Sequence, residues 1–343
     1  MLLIGIDEAG YGPRLGPLCH GYCALRLNAV PGGGTPPDLW ALLHPAVMKH
    51  PCFDGSIAID DSKKIFGLGA GLQGLAKGVS AFLACLSGEC PNEEDVRALY
   101  DRILPEEDRS ALYEDAWGRW DSVLTQPPPP DEGEVLVKRG RKPKPHPLGE
   151  PPAVIPPLSE ALARAGVSVL AVGSRAMSAR RYNAVLANSD NKAEVNWMVI
   201  SAILEKLLAL AAPGEEVFAY IDRQGGRKFY TGKISHLFPG AMPWVESETP
   251  KKSTYRIEAD GRVVRICFLV EADGEALPVA LGSMAAKLAR ELCMRCLNGY
   301  FKSHMPELKP TAGYYGDASR FLRETKALRK KLAIENAVFV RKK

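Results

Sequence analysis

Asp7 and Glu8 follow directly on the apolar run Leu2–Ile6, and the next nine residues contain three glycines and two prolines. The run has the length and bounding of a buried strand. A carboxylate there is destabilising unless it is paired, protonated or bound to a metal. Two more acids stand in comparable places: "EVFAYID" ends at Asp222, and the strand begun in "RVVRICFLVEAD" is expected to end at Asp273. If the three strands are neighbours in one sheet, Asp7, Glu8, Asp222 and Asp273 converge beside the loops, where a substrate can reach them while the sheet holds them still. Such a set suits phosphodiester hydrolysis with two divalent ions about 3.5–4 Å apart. Mg²⁺ or Mn²⁺ is the expected cofactor, because these ions prefer oxygen ligands. Taken singly, each acid is equally an ordinary turn residue, so the inference rests on the joint pattern.

The elements that must position these acids can be read in outline. Leu2–Ile6, Gly21–Leu27 and Ser56–Ile59 read as strands separated by Gly and Pro turns, opening a mostly antiparallel meander. Helical patterning covers 72–86 and 93–121, with Ser-Gly-Glu-Cys-Pro between them. From 126 to 157 the composition changes to eleven prolines and a basic knot, "VKRGRKPKPHP", which reads as a linker or insertion. Within it "KRGRKPKP" is reminiscent of an AT-hook, although Lys142 interrupts the core of that motif. Order resumes with the strand "VSVLAV" (167–172), a helix over 191–211 and the strand closed by Asp222. Asp260-Gly261 marks a hairpin. A helix over 282–301 carries Gly282, Ala285, Ala286 and Ala289 on one side, small enough to let it lie close to a sheet.

A chain of 343 residues with 46% apolar content can bury a substantial core. The formal charge of +4 permits a polyanionic partner without requiring one. Eight scattered cysteines and the absence of a recognisable export signal point to reduced thiols and a cytoplasmic location. The longest apolar helix is interrupted by Glu205 and Lys206, which argues against a membrane span. Cys293 and Cys296 lack a second ligand pair at zinc-site spacing.

"GIDEAGYGPRLGPL" resembles the opening signature of the type 2 ribonucleases H (ribonuclease HII), G-x-D-E-A-G-R-G-P-x-x-G-P. "DDSKK" (60–64), "AYIDRQGG", "EADGEALPVALGSMAAKLARE" (271–291) and "AGYYGDASRF" (312–321) resemble later motifs of that family, in the family's order. The resemblance covers the ends and the middle of the chain but not residues 66 to 160. It implies an RNase H-like α/β/α fold with a mixed central sheet, in which Asp7, Glu8, Asp222 and Asp273 are the metal-binding, catalytic acids. On that basis 1–125 and 158–325 form the catalytic domain, with extra helices in the first part, 126–157 is the linker and 326–343 a basic C-terminal tail.

The resemblance also implies an activity: metal-dependent hydrolysis of the RNA strand of an RNA–DNA hybrid, or of duplex DNA containing ribonucleotides. A non-catalytic binder of hybrid or structured nucleic acid, and a nuclease for another substrate on the same fold, are the alternatives. Retention of all four acids favours an enzyme, since a pure binder gains nothing from anions beside phosphates. Gly10 and Gly12 leave room for backbone amides to approach a phosphate or a 2′-OH. Ser62, Lys63 and Lys64 are candidates to hold the other strand. Lys287, one helical turn after Ser283, is a candidate to face phosphate, and Tyr314 to stack on a sugar or base. Two positions depart from the family: Tyr11 stands where its signature has arginine, and Leu277 stands near the Tyr of its Tyr-Pro, with Pro278 displaced by one residue.

Overall fold

The computed structural model describes residues 1–28, 34–49, 55–67, 71–87, 96–120, 156–189, 191–223 and 225–342. All but the last two residues of the proline-rich segment 126–157, and with them the AT-hook-like stretch, lie outside the described residues. The described chain is an α/β protein built on a seven-stranded sheet: β1 Leu2–Ala9, β2 Leu18–Leu27, β5 Val167–Met177, β6 Val217–Asp222, β7 Trp244–Glu248, β8 Lys252–Ala259 and β9 Arg262–Leu269. Their order is β5-β2-β1-β6-β9-β8-β7. β1, β6 and β9 run parallel at the centre, and the other pairings are antiparallel, so the sheet is mixed. The three strands expected to be neighbours are neighbours.

The alternation of β1 assigns its two faces. Leu2, Ile4 and Ile6 pack with Trp197, Ile200, Ile203 and Leu204 of the helix Lys192–Leu208. Leu3 faces the opposite core, shared with the long helix Leu277–His304 and the helix Gly71–Ser87. The small-residue side of the long helix lies against glycines of the sheet. A Cβ on Gly5 would stand 2.1 Å from the Pro278 carbonyl carbon, and one on Gly21 would stand 1.8 Å from the Gly282 oxygen. Gly21 is also the cross-strand partner of Asp7, so this close approach carries Ser283 to the Asp7 side chain. Gly21→Ala is therefore expected to lower stability by about 1–3 kcal/mol through forced separation of helix and sheet. Chemical denaturation measures this directly, and an unchanged midpoint would contradict the packing.

Several expectations are corrected. Ser56–Ile59 does not extend the main sheet: Ile57–Ala58 (β4) pairs in parallel with Val47–Met48 (β3) in a separate two-stranded sheet. β5 takes the place beside β2, because its eleven residues match β2 along nearly its whole length. The helix expected over 93–121 is divided at Pro105 into Val96–Ile103 and Glu106–Tyr113, followed by a short 3₁₀ turn, since proline lacks the N–H that a continuous helix needs. The hairpin at Asp260-Gly261 forms, with both residues at positive φ, as a type I′ turn requires. β9 ends at Leu269, however, and Asp273 lies in the short helix Ala272–Glu275. The expected basic tail folds as far as residue 342, through helices Lys326–Lys331 and Asn336–Phe339. Its apolar residues explain this: Phe339 is buried against Phe301 and Phe321.

No helix among the described residues is long and apolar enough to cross a membrane.

Candidate metal centre

Asp7, Glu8 and Asp222 each offer a carboxylate oxygen within 4.8 Å of the others. Asp222 is the last residue of β6. Asp7 and Glu8 lie inside β1 rather than past its end, because pairing with β2 continues to Ala9. Their opposite pleats send Asp7 toward Ser283 of the long helix and Glu8 toward Asn196 of the helix Lys192–Leu208. Asp273 stands outside this triplet but beside Asp222, whose charge it disfavours, and the Ala272 N–H donates to Asp222 Oδ1 at 3.0 Å.

Three acids crowded at the sheet are poorly tolerated as three charges. Burial, followed by Asp222 and Glu8, raises Asp7 well above the usual carboxylate range, against a hydrogen bond with Ser283. Burial and Asp222 push Glu8 up to about 8, opposed by Asn196 and Lys63. Asp222 is pushed up to about 6, mainly by burial and by Asp273, against the Ala272 N–H and Lys63. Burial and then Asp61 raise Asp273. Lys63 favours the charged forms of Glu8, Asp222 and Asp273, and Lys64 adds to this at Asp273.

The donor set fits a hard divalent cation. It consists of carboxylate oxygens, and Glu8 Oε2 is buried without a hydrogen-bond partner. A cation would satisfy that oxygen and relieve the mutual repulsion that holds protons on the acids.

The other expected site residues divide by their surroundings. The Ser283 and Ser62 hydroxyls are hydrogen-bonded at 3.0 Å, and both residues are buried. Lys63 and Lys64 are both exposed, and Lys64 pairs with Asp60 at 3.2 Å. Lys287 is turned to Glu291 at 2.5 Å and lies over the Phe66 ring, so the expected aim at phosphate is not the orientation found. Gly10 has φ +89°, and a Cβ there would meet Arg290 and the Pro17 carbonyl at 2.9 Å; its glycine is required by the fold. Gly12 is exposed with nothing within 4 Å of an added Cβ among the described residues, so the space above it is open. Tyr11 packs its ring beside Leu18, Met177 and Tyr182. Burial and then Glu8 raise its hydroxyl, while Arg227 opposes them. Tyr314 is 54% exposed and adjoins the opening loop, because Gly313 accepts from Arg14 N–H at 2.8 Å.

Sequence reasoning missed the groups that support the acids. Fully buried His20 is pushed down to about 4, chiefly by burial, and is neutral. A neutral ring that bonds Asn196 Oδ1 through Nε2 must donate from that nitrogen. The Asn196 Nδ2 is left buried without a hydrogen-bond partner, and Asn196 favours the charged form of Glu8. The available signal was a lone Asn inside the apolar helix "EVNWMVISAIL". Arg290 was also missed: it is 2% exposed and donates to the carbonyls of Pro17, Leu15 and Ala312 at 2.6, 3.1 and 3.1 Å, fixing the opening loop.

Fold and site together define an α/β protein with helices on both faces of a mixed sheet and an oxygen-donor cluster on its central strands. No family model matches the chain, and no curated protein sequence matches it. Among solved structures it is similar to the RNase HII of Archaeoglobus fulgidus in a complex with PCNA, at 14% identity and a TM-score of 0.39, over 99% of this chain and 94% of that one. It is similar to the ribonuclease H2 of Pyrococcus horikoshii OT3, at 11% identity and a TM-score of 0.40, over 99% and 92%. A third similar structure is Bst-RNase HIII in complex with Mn²⁺, at 12% identity and a TM-score of 0.36, over 94% of this chain and 62% of that one.

Proposed function

We propose that the protein is a divalent-metal-dependent endonuclease that hydrolyses the RNA strand of RNA–DNA hybrids, or duplex DNA at embedded ribonucleotides, leaving a 3′-hydroxyl and a 5′-phosphate. The observation that carries this reading is the triplet Asp7, Glu8 and Asp222, with oxygens within 4.8 Å of one another and one buried oxygen unpartnered. The ordered motifs that resemble ribonuclease HII support the choice of substrate.

In this reading Asp7 and Asp222 are the central ligands, and Glu8 and Asp273 complete the site. Bound Mg²⁺ or Mn²⁺ supplies an activated water and charge stabilisation at the leaving oxygen. Ser283 and Ser62 fix the Asp7 carboxyl, and the His20–Asn196 pair sets the side from which Glu8 is approached. Lys63 draws the acids toward their charged forms before metal arrives. The open space over Gly12 admits a sugar-phosphate backbone, and exposed Tyr314 offers a ring beside it.

The test is purified protein with Mg²⁺ or Mn²⁺ on a uniform hybrid, a duplex with one embedded ribonucleotide, and plain DNA. Cleavage of the first and not the third is expected; cleavage of plain DNA alone would reject the substrate assignment. Tyr11 bears on the second substrate. Tyrosine offers one hydroxyl and a ring where a guanidinium would offer a forked cation. Tyr11→Arg is therefore expected to improve the single-ribonucleotide substrate about tenfold relative to a ribonucleotide run, equivalent to about 1–2 kcal/mol for one charged hydrogen bond. An unchanged ratio would show that residue 11 does not set this preference.

A further inference from the structure

The loop that follows Glu8 is braced by an arginine from the other end of the chain. Arg341 donates through its guanidinium to the Gly10 and Pro13 carbonyls, and its backbone N–H donates to the Arg14 carbonyl at 2.9 Å. It is 3% exposed, yet its Nε and Nη1 have no hydrogen-bond partner. The charged and titratable groups around it are Arg290, Tyr182, Cys19 and Tyr314, none of them a carboxylate, and its guanidinium lies over the Tyr182 ring at 5.2 Å.

This side chain borders a groove of about 590 Å³ whose lining also includes Arg14, Tyr315, Arg329, Asn336 and Lys342. Among the described residues no carboxylate lines it. Arg14 lies over the Tyr315 ring and donates to the Ser319 hydroxyl at 3.3 Å, and Arg329 donates to Asn336 Oδ1 at 2.6 Å and to the Leu322 carbonyl at 3.0 Å. These acceptors are all neutral. Other arginines of the protein are paired with acids, as in Arg175 with Asp108 at 2.8 Å and Arg26 with Glu215 at 2.9 Å, whereas Arg290 and Arg223, like those of the groove, meet neutral oxygens. Among the described residues, four cations line this groove with no carboxylate beside them in the lining, a local excess in a chain whose net charge is only +4. A buried guanidinium with unmet donors is destabilising until an anion with several acceptor oxygens meets it. Phosphate matches the guanidinium fork.

We propose that the groove binds a backbone phosphate of the nucleic acid held at the carboxylate cluster, through Arg14, Arg341 and Lys342. Because the groove begins at the loop directly after Glu8, a strand lying over the acids can continue into it, with the Tyr315 ring beside its sugars or bases. The proposal rests on nucleic acid being the substrate of the cluster.

Binding of a labelled RNA–DNA hybrid in EDTA, followed by anisotropy from about 50 to 200 mM salt, tests it without cleavage. Arg341 braces the loop, so the variants are Arg14→Gln with Lys342→Gln, whose side chains are not fully buried. The double variant is expected to bind about three- to tenfold more weakly, with a log–log salt slope shallower by about 1–2. Unchanged affinity and slope would overturn the proposal. Displacement of the hybrid by millimolar inorganic phosphate to the same extent in the wild type and in the double variant would also overturn it, because the competition would then lie outside the groove. Cleavage of the hybrid by the wild type in Mn²⁺, measured separately, reports on the proposed activity alone.

Discussion

Asp7→Asn is expected to reduce metal-dependent cleavage by at least about 1,000-fold, roughly 4 kcal/mol of barrier, in both Mg²⁺ and Mn²⁺. The substitution keeps the shape of the side chain and its place opposite Gly21, while removing a negative ligand from the centre of the triplet. Folding should not suffer. Asp7 is buried, and both Asp222 and Glu8 disfavour its charge, so a neutral amide removes a strained group from the metal-free protein. Hybrid binding should stay level or tighten, because one repulsion toward phosphate is lost. Single-turnover kinetics with a binding assay on the same sample separate these effects. Normal turnover by the variant would remove Asp7 from the metal centre.

The second large effect concerns pH. Mn²⁺ affinity is expected to rise about tenfold or more from pH 6 to pH 8, because Asp222 and Glu8, pushed up to about 6 and about 8, must lose protons before they can ligate. Ordinary solvated carboxylates, ionised well below pH 6, would give a flat profile over this interval. The metal-free protein should show the complementary trend. At pH values below the ordinary Glu value of 4.5 the Glu8 carboxyl is protonated in both folded and unfolded chains. Between that value and about 8 the unfolded chain releases the proton and the folded chain retains it, so stability falls as pH rises across the interval. Glu8→Gln should accordingly raise the melting temperature by about 2–4 °C at pH near 8.5, with less benefit near pH 5. Calorimetric titration with Mn²⁺ and thermal melts in EDTA measure the two halves. A flat affinity profile together with a destabilised Glu8→Gln variant would show that the acids are not mutually crowded.

The parts of the fold written in local pattern were legible from sequence. β1, β2, β6 and the Asp260-Gly261 hairpin each carry their signal within a few residues, through apolar runs and turn chemistry. The neighbourhood of β1, β6 and β9 followed from requiring their acids to meet. What was not legible depends on contacts far apart in the chain. The choice of β5 over Ser56–Ile59 as partner of β2 is a contest of pairing lengths that neither segment reveals alone. Asp273 was placed at a strand end because the apolar run continues through Val270; the chain instead turns at Glu271, with φ 56°, into a short helix. Asn196 and Arg341 escaped for a related reason. Their importance comes from Glu8 and from the Gly10 and Pro13 carbonyls, which only the assembled fold brings to them.

Anomalous diffraction at the manganese edge from crystals soaked in millimolar Mn²⁺ locates the metal directly. A peak enclosed by the carboxylates of Asp7, Glu8 and Asp222 is expected, and its loss in Asp7→Asn crystals treated identically. A wild-type protein with no manganese at these three side chains, or with manganese bound only elsewhere, would contradict this metal centre.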